Sequence, residues 1–463
     1  MGDQGRKPLT DAIRQYVDDQ VIPFHTPGHK QGKGMERQLA TVLTQGLLEK
    51  DLTEVDGLDN LHQPEGPIAE AQSLASELFG ARATHFLVNG TLPGFYAALQ
   101  GCIDKDGIVL MDRTISLSAW KAMQLAGFQP VLLPPETDHT GYISKGTRIE
   151  TIMDALDQHL NVQCVVLSGV TRSGYIPDVS AIASFLRTKR IPLIVDETDI
   201  PYLCLLRKGP RPALMCGADA VIHGFSSIAL GPVQGAMLHT QGDLINDVRV
   251  MTALSMVQST SPSYLIMSAL DDIRAELWQC GTERLKDIMA SYGFARELLD
   301  KQGVDHIQYL SAIDFWDPLA FGVTADPGFF INKIPPVFGG LKTDQSRHTV
   351  IARFSVGKER LIPENFVNFI RSITTTHDRW PTIPPMTEGC VSIKCGWDHP
   401  STVRVPLHEA IGCQVARRTV LVKPDTWIIY PGETIQSAWV SAMQEREWDI
   451  EIEVFATESK RGD

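Results

Sequence analysis

Between residues 68 and 240, short apolar runs alternate with helix-length segments. IAEAQSLASELFG leads to HFLVNG, then a helix around Tyr96 to Gly101, then GIVLMD, then SAWKAMQLAG. The order continues through PVLLP, a helix near Ile149 to Leu160, VQCVVLSG, a helix near Val179 to Thr188, and IPLIVDE. β-Branched runs of strand length separated by crossover helices predict parallel strands covered on both faces. This is a doubly wound α/β sheet, which ADAVIHG and GAMLHT are expected to complete.

Past Pro262 the pattern shifts to long amphipathic stretches, Tyr264 to Cys280 and Glu283 to Lys301. Strand runs (TVIARFSVG, CVSIKCG, WIIYPGE) then alternate with the helical ENFVNFIRSI and VSAMQERE, which predicts a smaller α+β C-terminal domain. Before residue 60, VIPFHTPGHKQGKG has too many Pro and Gly residues for regular structure and reads as an arm. The expected division is therefore 1–60 arm, 61–300 major domain and 301–463 C-terminal domain.

A chain of 463 residues exceeds one simple core. Its formal charge of -13 argues against nucleic-acid or anionic-membrane surfaces, which need clustered Lys and Arg. No apolar run is long enough to span a bilayer, and the start has no secretory pattern, so a cytoplasmic location is expected. The eight cysteines are scattered through apolar segments, as reduced thiols are. Cys390, Cys395 and His399 lie close together without a CxxC pair, so they read as strand and turn rather than a zinc site, and no metal is expected. The closing RGD, Arg461 to Asp463, reads as a solvated tail.

Several stretches together resemble the Orn/Lys/Arg decarboxylases, pyridoxal-phosphate enzymes of the aspartate-aminotransferase fold (fold type I). They are TPGHKQG (26–32), DLTEVDGLDNLHQPEGPIAEAQ (51–72), FLVNGTLPG (86–94), IPLIVDE (191–197), QSTSPSYLIMSALD (258–271) and YPGE (430–433). The resemblance is to the short form of the family, without a receiver-like N-terminal domain. It implies a phosphate turn at Asn89, Gly90 and Thr91, since phosphate suits backbone N–H groups at a helix N-terminus, with Pro93 in the first helical turn. Leu92 stands where a hydroxyl residue is common. The resemblance also implies that Asp196 partners the pyridine nitrogen, so that the ring can act as an electron sink.

Other positions depart from the family pattern. RTISLS puts Ser116 where a ring-stacking His belongs and Leu117 where a Lys belongs, and DETD puts Asp199 where a His is frequent. Arg172 and Ser173 stand where a Tyr pair is usual. In IHGFSSIALG (222–231), the STHK-type motif falls on Gly224, Phe225, Ser226 and Ser227, so the Schiff-base position is Ser227. A hydroxyl cannot form an imine, and no shift of register restores an amine, because no lysine lies between Lys208 and Lys286. Lys208 belongs to an exposed loop, and Lys30 to the arm. Phe225 is expected to push its ring toward the phosphate pocket. His223, conceivable as a non-covalent base, reads better as a packed histidine.

Asn89, Gly90, Thr91, Ser116, Asp196, Ser226 and Ser227 thus form a vestigial cofactor pocket with no catalytic residue. No covalently bound cofactor is expected, which leaves pyridoxal phosphate only non-covalent binding. The expected function is a homodimeric pseudoenzyme that binds or regulates, with Ser259 and Thr260 reaching the partner's phosphate site. The alternatives are an active pyridoxal-phosphate decarboxylase or non-covalent enzyme of altered chemistry, and a sensor for an amino acid or polyamine.

Overall fold

The computed structural model describes residues 2–20, 45–104, 107–137, 144–225, 231–301, 315–324, 342–345, 349–353, 389–390, 402–416, 419–422, 427–444 and 451–455. The 21–34 arm and ENFVNFIRSI lie outside the described residues, as do Cys395, His399 and the RGD tail.

In chain order the helices and strands begin with α1 (Pro8–Asp18), α2 (Gln45–Lys50), α3 (Pro67–Phe79), β1 (Ala83–Leu87), α4 (Leu92–Cys102), β2 (Ile108–Asp112), α5 (Leu117–Ala126) and β3 (Gln129–Leu133). A small hairpin, β4 (Glu136–Thr137) and β5 (Ser144–Gly146), precedes α6 (Ile149–Gln158), β6 (Val162–Ser168), α7 (Val179–Lys189) and β7 (Leu193–Asp196). Then come α8 (Ala213–Cys216), β8 (Ala220–Gly224), β9 (Ala236–Thr240), α9 (Asp247–Val257), α10 (Tyr264–Glu276) and α11 (Thr282–Lys301). The C-terminal elements are β10 (Ala320–Thr324), β11 (Lys342–Gln345), β12 (Thr349–Arg353), β13 (Gly389–Cys390), β14 (Thr402–Pro406), β15 (Thr419–Val422), β16 (Trp427–Ile429), α12 (Ser437–Gln444) and β17 (Glu451–Phe455).

The chain divides into two compact units. One comprises Met1–Cys102, Glu197–Asp287 and Ser355–Lys358; the other comprises Ile103–Asp196, Ile288–Phe354 and Glu359–Asp463. In the second unit β3, β2, β6 and β7 are successive parallel neighbours, as the alternating pattern predicts. Each strand is almost wholly buried, which is why it reads as a continuous apolar run. The chain adds β3 on one side of β2 and β6 and β7 on the other. At such a reversal, outside the strands' carboxyl ends, α/β folds place ligands.

The first unit departs from the all-parallel expectation. β9 runs antiparallel to both β1 and β8. A five-residue buried run carries no mark of direction, so the sequence pattern alone could not reveal this. α4 and α9 cross closely because Gly101 has no side chain: a Cβ there would lie 2.7 Å from Val250 Cγ2.

The long DGLDNLHQPEGP block has a structural explanation in the same unit. The Asp59 carboxylate accepts backbone N–H bonds from Glu65 (3.0 Å), Gly66 (2.7 Å) and Ile68 (3.1 Å), capping α3. Pro67 opens that helix, a position where its missing N–H is harmless. The Tyr264 hydroxyl, at the start of α10, donates to the Asp59 carbonyl, so two of the resembling blocks hold each other.

The C-terminal elements β14 and β17 pair antiparallel. Val405, Val415, Ile429, Trp439, Ile452 and Val454 form a separate apolar core there, consistent with the expected α+β character.

Candidate functional site

In the second unit, Asp112, Ser168 and Asp196 end β2, β6 and β7 along one sheet edge. Ser168 stands opposite Asp196 in register, and the Gly169 amide donates to the Asp196 carbonyl (2.8 Å). Asp196 is buried.

Asp112 was not singled out from the sequence. It is fully buried and accepts from the Thr114 amide (2.8 Å), the Thr114 hydroxyl (2.9 Å) and, more distantly, the Ser168 amide (3.4 Å). Burial pushes its carboxyl above the usual range, and these hydrogen bonds pull it back only in part. The available signal was a strand ending in Asp, GIVLMD, like the IPLIVD that did draw notice.

Ser116, at the position of the ring-stacking His, caps α5, its Oγ accepting from the Ala119 amide (3.3 Å). Leu117 beside it is exposed. The turn that carries Ser116 is fastened to YPGE. The Tyr430 hydroxyl donates to the Arg113 carbonyl (2.8 Å), and the Tyr430 and Trp120 rings lie 4.4 Å apart. Arg113 Nη1 stands 2.9 Å from Glu433 Oε2 and 2.8 Å from Oε1, with both side chains almost fully buried. Ser173 is buried and accepts from the Ser144 amide (3.3 Å), whereas Arg172 is exposed.

In the first unit, Asn89, Gly90 and Thr91 follow β1 and lead into α4, the strand-turn-helix order the sequence implies. The Gly90 N–H, however, is directed at the Gln234 carbonyl (2.9 Å). The Asn89 Oδ1 lies 3.4 Å from the amide of Ser259, so Ser259 sits beside this chain's own turn. Gln258 fixes the strand above it, its Oε1 accepting from the Val88 amide (2.9 Å).

β8 ends at Gly224, and Phe225 follows. Phe225 corrects an expectation: its ring is fully buried, 6.2 Å from Phe79 and edge-on to it. The side-chain period of two explains why, because His223 and Phe225 share a direction and His223 also packs on Phe79 at 4.9 Å. His223 is the packed histidine expected, with its Nε2 3.0 Å from Glu197 Oε2. His239 lies 4.7 Å from it and bonds Thr84 Oγ1 (2.8 Å). Burial drives the His239 imidazole well below its ordinary range, and the neighbouring His223 and His85 add to this. Burial also lowers His85 to about 4. Three histidines far apart in sequence gave no motif to notice.

Ser226 and Ser227 lie outside the described residues, as does Lys30. Lys208 is exposed, as expected. Each unit thus gathers its own expected residues: Ser116 and Asp196 with Asp112 in one, Asn89, Gly90 and Thr91 in the other. Tested against pyridoxal phosphate, the buried Asp196 suits the pyridine nitrogen, but the side chains do not fit a coenzyme tethered by an amine. No lysine lies between Lys208 and Lys286, and a Cβ at Gly224 would fall 2.6 Å from Thr198 Cγ2. Among the described residues no cluster of His, Cys, Asp and Glu groups is suited to a metal ion, and no helix is long and apolar enough to cross a membrane.

Residues 7–336 match the family model described as Orn/Lys/Arg decarboxylase, major domain. An arginine decarboxylase of Bacillus subtilis is 25% identical over 455 residues, covering 95% of this chain and 93% of that protein. The uncharacterised protein YaaO of the same organism is 32% identical over 324 residues, 69% of this chain and 67% of that one. The crystal structure of the Francisella novicida lysine decarboxylase LdcF superposes with a TM-score of 0.76 at 16% identity, covering 97% of this chain and 81% of that one. This likeness establishes the α/β fold expected from the sequence.

Proposed function

From the premise that this chain belongs to the Orn/Lys/Arg decarboxylase family, we propose that it is a pseudoenzyme: a homodimer that keeps the family scaffold, lacks lysine-dependent lyase chemistry, and acts as a cytoplasmic binding or regulatory protein. The observation that carries this reading is the absence of any lysine from 209 to 285. A serine hydroxyl at 227 cannot hold an aldehyde coenzyme as an imine. Glu197 is engaged by the Ala213 amide (2.7 Å) and by His223. Ser116 is engaged as a helix cap.

The purified chain is expected to be colourless, to show no imine absorbance with added pyridoxal phosphate, and to release no carbon dioxide from lysine, arginine or ornithine. A borohydride-reducible adduct on any native lysine would overturn this reading. A second reading, an active pyridoxal-phosphate decarboxylase or non-covalent enzyme, is favoured by buried Asp196 at its strand end. It requires turnover that disappears in Asp196→Ala.

A further inference from the structure

Thr198 and Gly224, we propose, form a matched steric pair that shuts the hydroxyl position of the ancestral phosphate site, making Thr198 a residue that determines what the site admits. This inference rests on the pseudoenzyme reading and deepens it: the site has lost room for a phosphate-binding side chain as well as its amine.

Gly224 ends β8 in a buried position, opposite Ala236. Glycine in a strand weakens it and often marks the close approach of another segment. Gly224 is not among the residues with positive φ, so backbone conformation does not require glycine there. Space does. A Cβ at 224 would lie 2.6 Å from Thr198 Cγ2 and 3.0 Å from the Thr198 carbonyl oxygen.

Thr198 is poorly placed to retreat. The Glu197 amide donates to the Ile222 carbonyl (3.0 Å) and the Gly224 amide donates to the Thr198 carbonyl (3.2 Å), stitching residues 197–198 to β8 at two points. The Glu197 carboxylate is pinned besides by Ala213 and His223. At Gly231 the same crowding recurs. A Cβ at Gly231 would fall 2.5 Å from Phe225 Cβ, and the Gly231 amide donates to the Phe225 carbonyl (2.8 Å). Gly224 and Gly231 both stand where an added Cβ would clash. The resemblance puts a hydroxyl residue at 224, and the Thr198 methyl occupies the volume its Cβ would need.

The test is a thermal-melt cycle on the full chain, with Gly224→Ser, Thr198→Ala and both together. Gly224→Ser alone is expected to lower the melting temperature by about 3–10 °C, the scale of an overpacked core site. Adding Thr198→Ala is expected to recover at least half of that loss, although Thr198→Ala alone lowers the melting temperature slightly. If Gly224→Ser fails to fold, Gly224→Ala tests the same volume, and folding restored by Thr198→Ala counts as recovery. Inorganic phosphate is expected to raise the melting temperature of the double variant and to leave the native chain unmoved. Losses that add, or a Gly224→Ser variant as stable as the native chain, would overturn the pair; so would equal shifts with phosphate. A reducible adduct on the native chain would instead overturn the pseudoenzyme reading and leave the melting temperatures of the cycle as they stand.

Discussion

Glu433→Ala should be among the most damaging single changes in the second unit. The side chains of Arg113 and Glu433 are 1% and 3% exposed, so water cannot replace a lost partner. Breaking a buried pair by removing one member costs about 3–5 kcal/mol, because the remaining charge stays buried after losing its carboxylate. The Tyr430 amide would also lose its acceptor, Glu433 Oε2 at 2.9 Å, which adds on the order of 1 kcal/mol. The expected total is about 4–6 kcal/mol, a large share of the roughly 5–15 kcal/mol that stabilises an ordinary domain. Urea unfolding followed by tryptophan fluorescence reads it directly, since Trp120 packs on Tyr430. The double change Arg113→Met with Glu433→Leu removes both charges together and should sit much nearer the native value. A Glu433→Ala variant within about 1 kcal/mol of the native chain would refute the reasoning, and so would a double variant no better than the single.

Asp59→Ala should cost about 2–4 kcal/mol in urea unfolding, since it leaves several amides at the start of α3 without an acceptor; Asp59→Asn, which keeps an oxygen there, should lose less than half of that. Acid should destabilise the first unit through its histidines. Above pH 6.5 His85 is neutral in both folded and unfolded chains and contributes nothing; between pH 6.5 and about 4 only the unfolded chain takes up the proton, so stability falls by at most about 3 kcal/mol across that window. Asp112, raised by burial, acts in the opposite sense. The histidine contribution is therefore the difference between native and His85→Gln urea midpoints at each pH, and parallel curves would refute it.

What the sequence made legible follows from how each signal is stored. Parallel strands β2, β6 and β7 were readable because each is buried on both faces and so is apolar along its length. The strand-end Asp196 was marked by the family resemblance; Asp112, which closes an apolar run in the same way, had no such mark. The antiparallel insertion of β9 was not, because Ala236–Thr240 has the same composition either way. The direction of the Phe225 ring was lost for a different reason. It depends on the strand register continuing one residue past Gly224, which a motif match does not encode. The Arg113–Glu433 pair and the histidines His85, His223 and His239 join positions far apart in the chain, and no local pattern announces such encounters.

The Asp59 carboxylate, with its ring of backbone amides, has a consequence for how relatives of this chain are sorted. The most recognisable block in the sequence is a device for starting a helix and anchoring a tyrosine. A comparison weighted by that block sorts relatives by their scaffold, because what it detects is how the scaffold is fastened together.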